Sequence, residues 1–297
     1  MQYRTLGRSG LQVSVVGLGT WQWCGVWGPP LEQKQATDLI ARGRELGMNM
    51  VDTAECYGDH VSESLLGKAL AGQRQDWLVA TKFGHVPGSD DPEVDWQPAS
   101  VRRQLAASLQ ALNTDYIDIY QFHSGNDEQL DNEELWSMLQ SQREAGVIRC
   151  LGVSVGNPGN VWQVQRAAEL GADVIQVTYN CLQQKAAEAV LPACSEHGLG
   201  VINRTPLASG FLGGAYAPGA RWPGNDVRSM RRPEKIDEEL TKADKILSEA
   251  VPGGESRAAW ALAWCLSNPA ITSVIPGSRT LAQLEDSVRA ASLVPVV

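Results

Sequence analysis

Short apolar runs alternate with amphipathic stretches along most of this chain, and a sequence of that kind has few ways to bury both. Met48, Met50 and Val51 read as one buried strand, and others are expected at 77–81 (WLVAT), 116–122 (YIDIYQF), 148–153, 173–177 and 199–203. From Leu31 the period turns helical, with Ala36, Leu39, Ile40 and Leu46 on one side and Gly47 as the stop. Further helices are predicted over 61–70, 100–112, 132–144, 160–170, 185–197, 238–250, 258–266 and 281–291. Gly146, Gly171 and Gly198 each stand between a helix and the next strand, where a residue tolerant of positive φ ends a helix at least steric cost.

The first barrel strand is expected in VSVVGLGT, 13–20, preceded by a hairpin that turns at Gly-Arg-Ser-Gly. ITSVIPG, 271–277, supplies the eighth. Eight strand–helix units predict an α/β fold, a (β/α)8 TIM barrel with an N-terminal β-hairpin, spanning 1–297 as one domain. An open doubly wound sheet is the alternative, but no GxGxxG follows the first strand.

Composition narrows the partners. With 43% apolar residues the chain can fill one large core, and its net charge of -9 carries no basic stripe of the kind that tracks nucleic acid. The N-terminus lacks a signal peptide's apolar core and no run reaches the ~20 apolar residues of a membrane span, so no membrane association and a cytoplasmic location are expected. The six cysteines form no CxxC pair and read as buried free thiols. Cys56 stands out because it adjoins Tyr57; it is either a small filler or a thiol favoured as thiolate by a nearby lysine.

The polar residues at the strand ends carry the chemistry. Asp52 follows MNMV with Tyr57 five residues on, Lys82 follows WLVAT, and His123 follows YIDIYQF. In a parallel barrel these ends converge on one face. A phenol has a pKa near 10, and an adjacent ammonium lowers it; a carboxylate in turn keeps a buried lysine charged. Asp52, Tyr57, Lys82 and His123 together fit carbonyl reduction, with Tyr57 as proton donor and His123 holding the carbonyl oxygen. Singly, each also has a structural reading: Asp52 as a turn cap, Lys82 as a surface residue, His123 as a satisfied core histidine.

VDTAECYG, ATKFG, IDIYQFH and the N-terminal GLGTW together resemble the motifs of the aldo-keto reductases, over nearly the whole chain. That resemblance implies a barrel enzyme binding NADP(H) and reducing an aldehyde or ketone without a metal. It implies Asp52, Tyr57, Lys82 and His123 as the catalytic tetrad and Trp21, Tyr57 and His123 as substrate contacts. For the cofactor it implies Gly19, Thr20 and Trp21 in GLGTW, Asp52, Ser154 in GVSVGN, and Gln176 in QVTYN with Tyr179 and Asn180 nearby. RTPLASGFLGG adds Arg204, Pro206, Leu207, Ser209 and Gly210, and IPGSRTLAQLEDS adds Gly277, Ser278, Arg279, Gln283 and Asp286, with Ser278 and Arg279 on the 2′-phosphate. The chain departs from the family at Val155, where Asn is usual, at Arg204, where an aromatic usually stacks on the nicotinamide, and at Ser287, where Asn is frequent. A guanidinium plane can also stack.

Two stretches stay open. WQWCGVWGPP, 21–30, carries Trp21, Trp23 and Trp27 either as packing or as an apolar substrate wall, with residues near His85 as further pocket lining. Residues 208–235, rich in Gly and Pro with arginines at 221, 228, 231 and 232, read either as a belt across a cofactor or as a solvated loop. The short tail past the last helix leaves substrate choice to the earlier loops. Two other functions share these residues: a nicotinamide-redox-sensing regulatory subunit of the same family type, and an aldolase or isomerase using Lys82 as a Schiff base.

Overall fold

The structure is a computed structural model and describes residues 1–85 and 94–294. An antiparallel hairpin, β1 (Tyr3–Thr5) with β2 (Gln12–Ser14), leads into a parallel sheet whose strands neighbour one another in strict chain order. These are β3 (Leu18–Gly19), β4 (Met50–Asp52), β5 (Leu78–Phe83), β6 (Ile117–His123), β7 (Ile148–Ser154), β8 (Val174–Thr178), β9 (Gly200–Arg204) and β10 (Ser273–Val274). The sheet closes on itself. Gly17 N donates to Val274 O at 2.8 Å, Val274 N to Val15 O at 3.0 Å and Gly19 N to Pro276 O at 2.9 Å, which joins the first strand to the eighth. A Cβ at Gly19 would stand 2.7 Å from Ile275 O, so the seam needs a glycine there. The expected (β/α)8 barrel with its hairpin is what forms.

The hairpin plugs the N-terminal mouth. Leu6 and Val13 pack with Met50, Ala80, Ile119, Cys150, Val174 and Ile202, one apolar side chain from each of several strands. That end is sealed, and the open end is the one where the strands finish.

Around the sheet run α1 (Gln33–Glu45), α2 (Val61–Ala69), α3 (Pro98–Leu112), α4 (Asp127–Leu130), α5 (Glu133–Glu144), α6 (Val161–Glu169), α7 (Val190–Glu196), α8 (Pro233–Ala250), α9 (Arg257–Leu266) and α10 (Leu281–Leu293). Their starts follow capping chemistry: Asn132, Asn160, Ser256 and Thr280 each accept a backbone N–H of the first turn. None of the described helices is long and apolar enough to cross a membrane.

The structure departs from the sequence reading in five places. The helix expected at 185–197 is a 3-10 turn, Lys185–Ala187, followed by α7 from Val190. Pro192 lacks an N–H, and restarting the helix at Val190 puts it in the first turn, where none is needed. The run 13–20 is not one strand: its start pairs with β1, and only Leu18–Gly19 joins the barrel. The eighth strand is two residues long, and α8 begins five residues earlier than 238, with Pro233 at its first position. The short α4 has no counterpart in the sequence reading.

Candidate active site

Consecutive strands deliver their last residues to one layer. Register pairs Gly19 with Asp52, Lys82 with Gln121, His123 with Ser154 and Ser154 with Gln176, so residues distant in sequence meet at the open end. Tyr57 sits on the turn after β4. Gly58 follows it at φ 65°, where an added Cβ would lie 2.8 Å from Cys24 Cβ and Cys24 O, so only glycine lets the turn fold in against the neighbouring loop.

Lys82 is the hub. Its ammonium donates to Asp52 Oδ1 at 2.6 Å, to the Thr53 carbonyl at 2.6 Å and to Tyr57 Oη at 3.2 Å. An ammonium has three N–H bonds, and all three are used. Burial alone would lower the lysine's pKa, but Asp52 and Tyr57 outweigh it and hold it above its ordinary value. Asp52 spends its other oxygen on Gln176 Nε2 at 2.7 Å and Gln121 Nε2 at 3.3 Å. Gln121 was not foreseen, since a glutamine inside a strand pattern reads as an ordinary ladder residue.

Tyr57 behaves differently from the sequence expectation. The Lys82 charge does lower its pKa, but burial outweighs it and the phenol is pushed up to about 12. It therefore stays protonated at neutral pH. His123 is held well below its ordinary value, first by burial and then by the Lys82, His85 and Arg204 charges, so its imidazole is neutral. Its Nδ1 lies 3.7 Å from Cys56 Sγ, and its ring stacks on His85 at 4.3 Å between centroids. Cys56 is no activated thiolate: burial raises its pKa to about 12 against the pull of Lys82.

Behind this layer sits a buried carboxyl that the sequence reading passed over. Glu55 Oε1 accepts the backbone N–H groups of Gly84 at 2.8 Å and His85 at 3.1 Å, tying the turn after β5 to the turn after β4. Burial, reinforced by the charge of Glu63, raises its pKa to about 9, so it is protonated near neutrality.

An elongated cavity of about 550 Å³ runs from this layer toward the start of α10. It is lined by Asp52, Tyr57 and His123 at one end and by Arg279, Gln283 and Asp286 at the other, with Gly19, Thr20, Trp21, Gln176, Arg204, Pro206, Leu207, Ser209, Gly210 and Gly277 between. Most of the residues expected to contact a cofactor are thus brought to one groove. Ser154 and Ser278 do not line it; both are buried, and neither hydroxyl has a partner among the described residues. Arg204 gives Nη2 to the Val155 carbonyl at 3.1 Å and leaves its buried Nε without one. Such buried polar atoms are costly unless a ligand or water meets them. Lining residues not singled out from the sequence include Thr205 and, inside the two stretches left open, Gln22, Tyr216 and Arg228.

The tryptophans of 21–30 divide. Trp21 faces the cavity and stacks on Tyr57 at 6.1 Å, and Trp27 also lines it. Trp23 does not: it is fully buried and its Nε1 donates to the Ser278 carbonyl at 3.0 Å, so it is packing and not pocket wall. His85 lines the cavity, and the stretch immediately after it lies outside the described residues.

Residues 208–235 reach across the groove and dock on the first loop. Val227 N donates to Val26 O at 2.8 Å, and Arg228 grips Asp226 through Nε at 2.9 Å and Nη2 at 2.6 Å while its guanidinium lies over Trp27, Tyr216 and Trp222. The arginines of this loop are therefore spent internally where pairs form: Arg221 on Asp237, Arg228 on Asp226 and Arg231 on Glu239.

The family model for the aldo/keto reductase family matches residues 15–296. The chain belongs to that family. An uncharacterized oxidoreductase of Bacillus subtilis, YrpG, is 33% identical over 99% of this chain and 92% of its own length. A probable voltage-gated potassium channel subunit beta of Arabidopsis thaliana is 30% identical over 100% of this chain and 93% of its own. Among solved structures, the holo form of the aldo-keto reductase AKR11C1 from Bacillus halodurans superposes with a TM-score of 0.83 at 29% identity, over 100% of this chain and 93% of that one. The glycerol dehydrogenase AKR11B4 from Gluconobacter oxydans gives 0.81 at 29% identity, over 97% and 89%. The protein is thus an oxidoreductase of the aldo-keto reductase type, a family that binds a nicotinamide cofactor and acts on small carbonyl compounds.

Proposed function

We propose that this aldo-keto reductase reduces aldehydes or ketones with NADPH. The observation that carries the reading is the single hydrogen-bonded chain Asp52–Lys82–Tyr57, which presents a protonated phenol and a neutral His123 to the same cavity. When bound, NADPH supplies the hydride. Tyr57 then gives its Oη proton to the carbonyl oxygen. An alkoxide is a base of roughly the strength of hydroxide and far stronger than a phenolate, so even a phenol at about 12 yields its proton downhill. Lys82 stabilises the charge left on the phenol, and Asp52 keeps Lys82 charged while it does so. His123 has Nδ1 turned to Cys56, which leaves Nε2 to donate to the carbonyl oxygen and orient it.

The residues along the groove fit an extended dinucleotide. Gln176 offers a polar group for the nicotinamide amide and Arg204 a flat cation for its ring, with Ser154 buried outside the lining. The backbone of 206–210 follows, with Gly19, Thr20, Trp21 and Gly277 forming the floor. Ser278, Arg279, Gln283 and Asp286 gather at the adenosine end. The unpartnered Nε of Arg204, a residue that lines the groove, supports a polar ligand there; the Ser154 and Ser278 hydroxyls are also unpartnered but lie buried outside its lining. Trp21, Tyr57 and His123 with His85 make the substrate wall, a largely aromatic surface that suits an apolar carbonyl compound.

Of two rival readings, one fares worse. A Schiff-base lysine needs a free lone pair, and all three Lys82 N–H bonds are engaged. The likeness to a channel beta subunit keeps a redox-sensing role in view, and the tetrad, which both readings share, leaves the choice to a turnover measurement. A panel of aldehydes, sugars and ketones followed by NADPH oxidation decides between them. Turnover of at least one class supports the reductase; binding of NADPH with no turnover of any would overturn it.

A further inference from the structure

Cys56, His85 and His123 come from three different elements, and their Sγ and ring nitrogens all lie within 4.8 Å of one another. We propose that they form a reversible inhibitory site for a thiophilic divalent cation, Zn2+ being the reference ion, whose occupancy turns the His123 ring and puts the ion with its water in the substrate end of the cavity.

The geometry is close to that of a zinc centre. With Zn–S near 2.3 Å and Zn–N near 2.0–2.1 Å, a tetrahedral ion holds its S and N ligands about 3.5 Å apart. Cys56 Sγ and His123 Nδ1 already stand at 3.7 Å. The His85 and His123 rings lie 4.3 Å apart and 22° from parallel, so modest turns of the side chains bring both nitrogens to one ion. Thiolate and imidazole are the ligand set that zinc prefers over the harder cations. All three residues line the open cavity, which leaves a fourth position for water and a path of entry.

The frame around them is preorganised. Glu55, next to Cys56, holds the backbone of Gly84 and His85, and Phe83 and Phe122 are paired across β5 and β6 just before the two histidines. Two features limit affinity. Coordination must expel the Cys56 proton, which a bound metal does, and the Lys82 ammonium opposes a second cation nearby. Three protein ligands with water in the fourth position are enough to hold zinc, and the thiol proton together with the Lys82 charge makes this a site that fills and empties. The proton leaves to solvent, and no group changes its oxidation state.

Metal binding stands independently of the proposed reaction, whereas the inhibition rests on it. Binding is therefore read first, without turnover, by titrating Co2+ into the NADP+-treated and untreated protein. A thiolate-to-cobalt charge-transfer band with one ion per chain is expected, displaced by Zn2+ and lost in Cys56→Ser. Zn2+ affinity, measured by competition with a chromophoric chelator, should fall in Cys56→Ser and in His85→Gln by more than the about 10–100-fold that loss of an outer-shell partner costs, and stay unchanged in Cys24→Ser. Inhibition by Zn2+, referred to each variant's own uninhibited rate, should be competitive with the carbonyl compound, reversed by EDTA, and weakened in the same proportion. Absence of the band, or wild-type Zn2+ affinity in Cys56→Ser, overturns the site, as does loss of affinity in Cys24→Ser alone. Binding without inhibition in a protein that turns over substrate overturns the inhibitory role. If Cys56→Ser does not fold, the wild-type band together with His85→Gln decides.

Discussion

Lys82 and Asp52 meet at 2.6 Å where water hardly reaches, the lysine side chain fully covered and the aspartate 3% exposed. A pair of charges placed so deep gains little net stability as a pair, but losing one partner leaves the other buried and uncompensated. Asp52→Asn should therefore destabilise the fold by about 3–5 kcal/mol in urea unfolding. It should also release Lys82 toward the neutral amine, which raises the pH-dependence of any residual turnover. A stability within 1 kcal/mol of wild type would mean that Thr53 and Tyr57 hold the ammonium without the carboxylate.

Tyr57→Phe removes the acid and keeps the ring that stacks on Trp21. Where chemistry limits the rate, turnover should fall about 10²–10⁴-fold with NADPH affinity nearly intact. The pH profile follows from the same residue. Because the phenol titrates at about 12 and His123 is neutral well below its ordinary pKa, kcat/KM for carbonyl reduction should stay flat from about pH 7 to pH 9. A basic limb centred near pH 8 would place the proton donor elsewhere.

His123→Ala should slow reduction while leaving binary cofactor binding largely unchanged, since the imidazole touches the cavity's carbonyl end and not the groove toward α10. If cofactor affinity collapses and turnover of the bound complex persists, His123 is structural.

Much of this arrangement was legible in the sequence because it is periodic. β4, β5 and β6 are apolar runs whose last polar residue belongs to the site, so Asp52, Lys82 and His123 can be placed from spacing alone. What escaped is held by contacts between loops, which have no period. Val26–Val227 joins residues far apart in the chain, and Trp23 and Trp27, four residues apart, take opposite fates because one indole finds the Ser278 carbonyl and the other lies under Arg228. The sign of the Tyr57 shift was missed for a related reason: spacing reveals the Lys82 charge but not the depth of burial that overrides it. Glu55 looked like one more acidic residue in VDTAECYG, and nothing in the sequence marks it as buried.

Glu55 makes a stability prediction with a definite sign. Its folded pKa of about 9 lies far above the ordinary carboxyl value, so the folded state binds more protons than the unfolded one across the interval between them. Stability contributed by this group is fully present below the ordinary carboxyl range and is lost as pH rises toward 9, with a limiting slope of about 1.4 kcal/mol per pH unit. Glu55→Gln keeps an oxygen for the N–H groups of Gly84 and His85 and removes the titration. Its melting temperature should exceed that of wild type at pH 8 and decline less between pH 6 and pH 9. Parallel curves for the two proteins would mean that Glu55 ionises as an ordinary carboxylate.

Arg279 is expected to distinguish NADPH from NADH, and the structure adds a complication to that expectation. Its guanidinium lines the cavity near Gln283 and Asp286, but it also donates through Nη1 to the Gln22 carbonyl at 2.5 Å and through Nη2 to the Pro29 carbonyl at 2.6 Å. It thus staples the 21–30 loop, the one that carries Trp21 and Trp27 into the cavity wall. A guanidinium has five N–H bonds, so donors remain for a 2′-phosphate alongside this role. Asp286 is partly neutralised by Ser256 at 2.6 Å and by Arg289 at 3.8 Å, which lessens its repulsion of an anion. Arg279→Ala removes both functions together. A charge-assisted hydrogen bond contributes about 1.5–3 kcal/mol, so NADPH affinity should fall by roughly one to two orders of magnitude. NADH, which has no 2′-phosphate but feels the loosened loop, should lose less. Arg279→Lys separates the two contributions: its point charge retains part of the NADPH preference but cannot span both carbonyls. Fluorescence titration of the three proteins with each cofactor measures this. Equal losses for NADPH and NADH in Arg279→Ala would leave the staple as the residue's whole contribution and put recognition of the 2′-phosphate elsewhere.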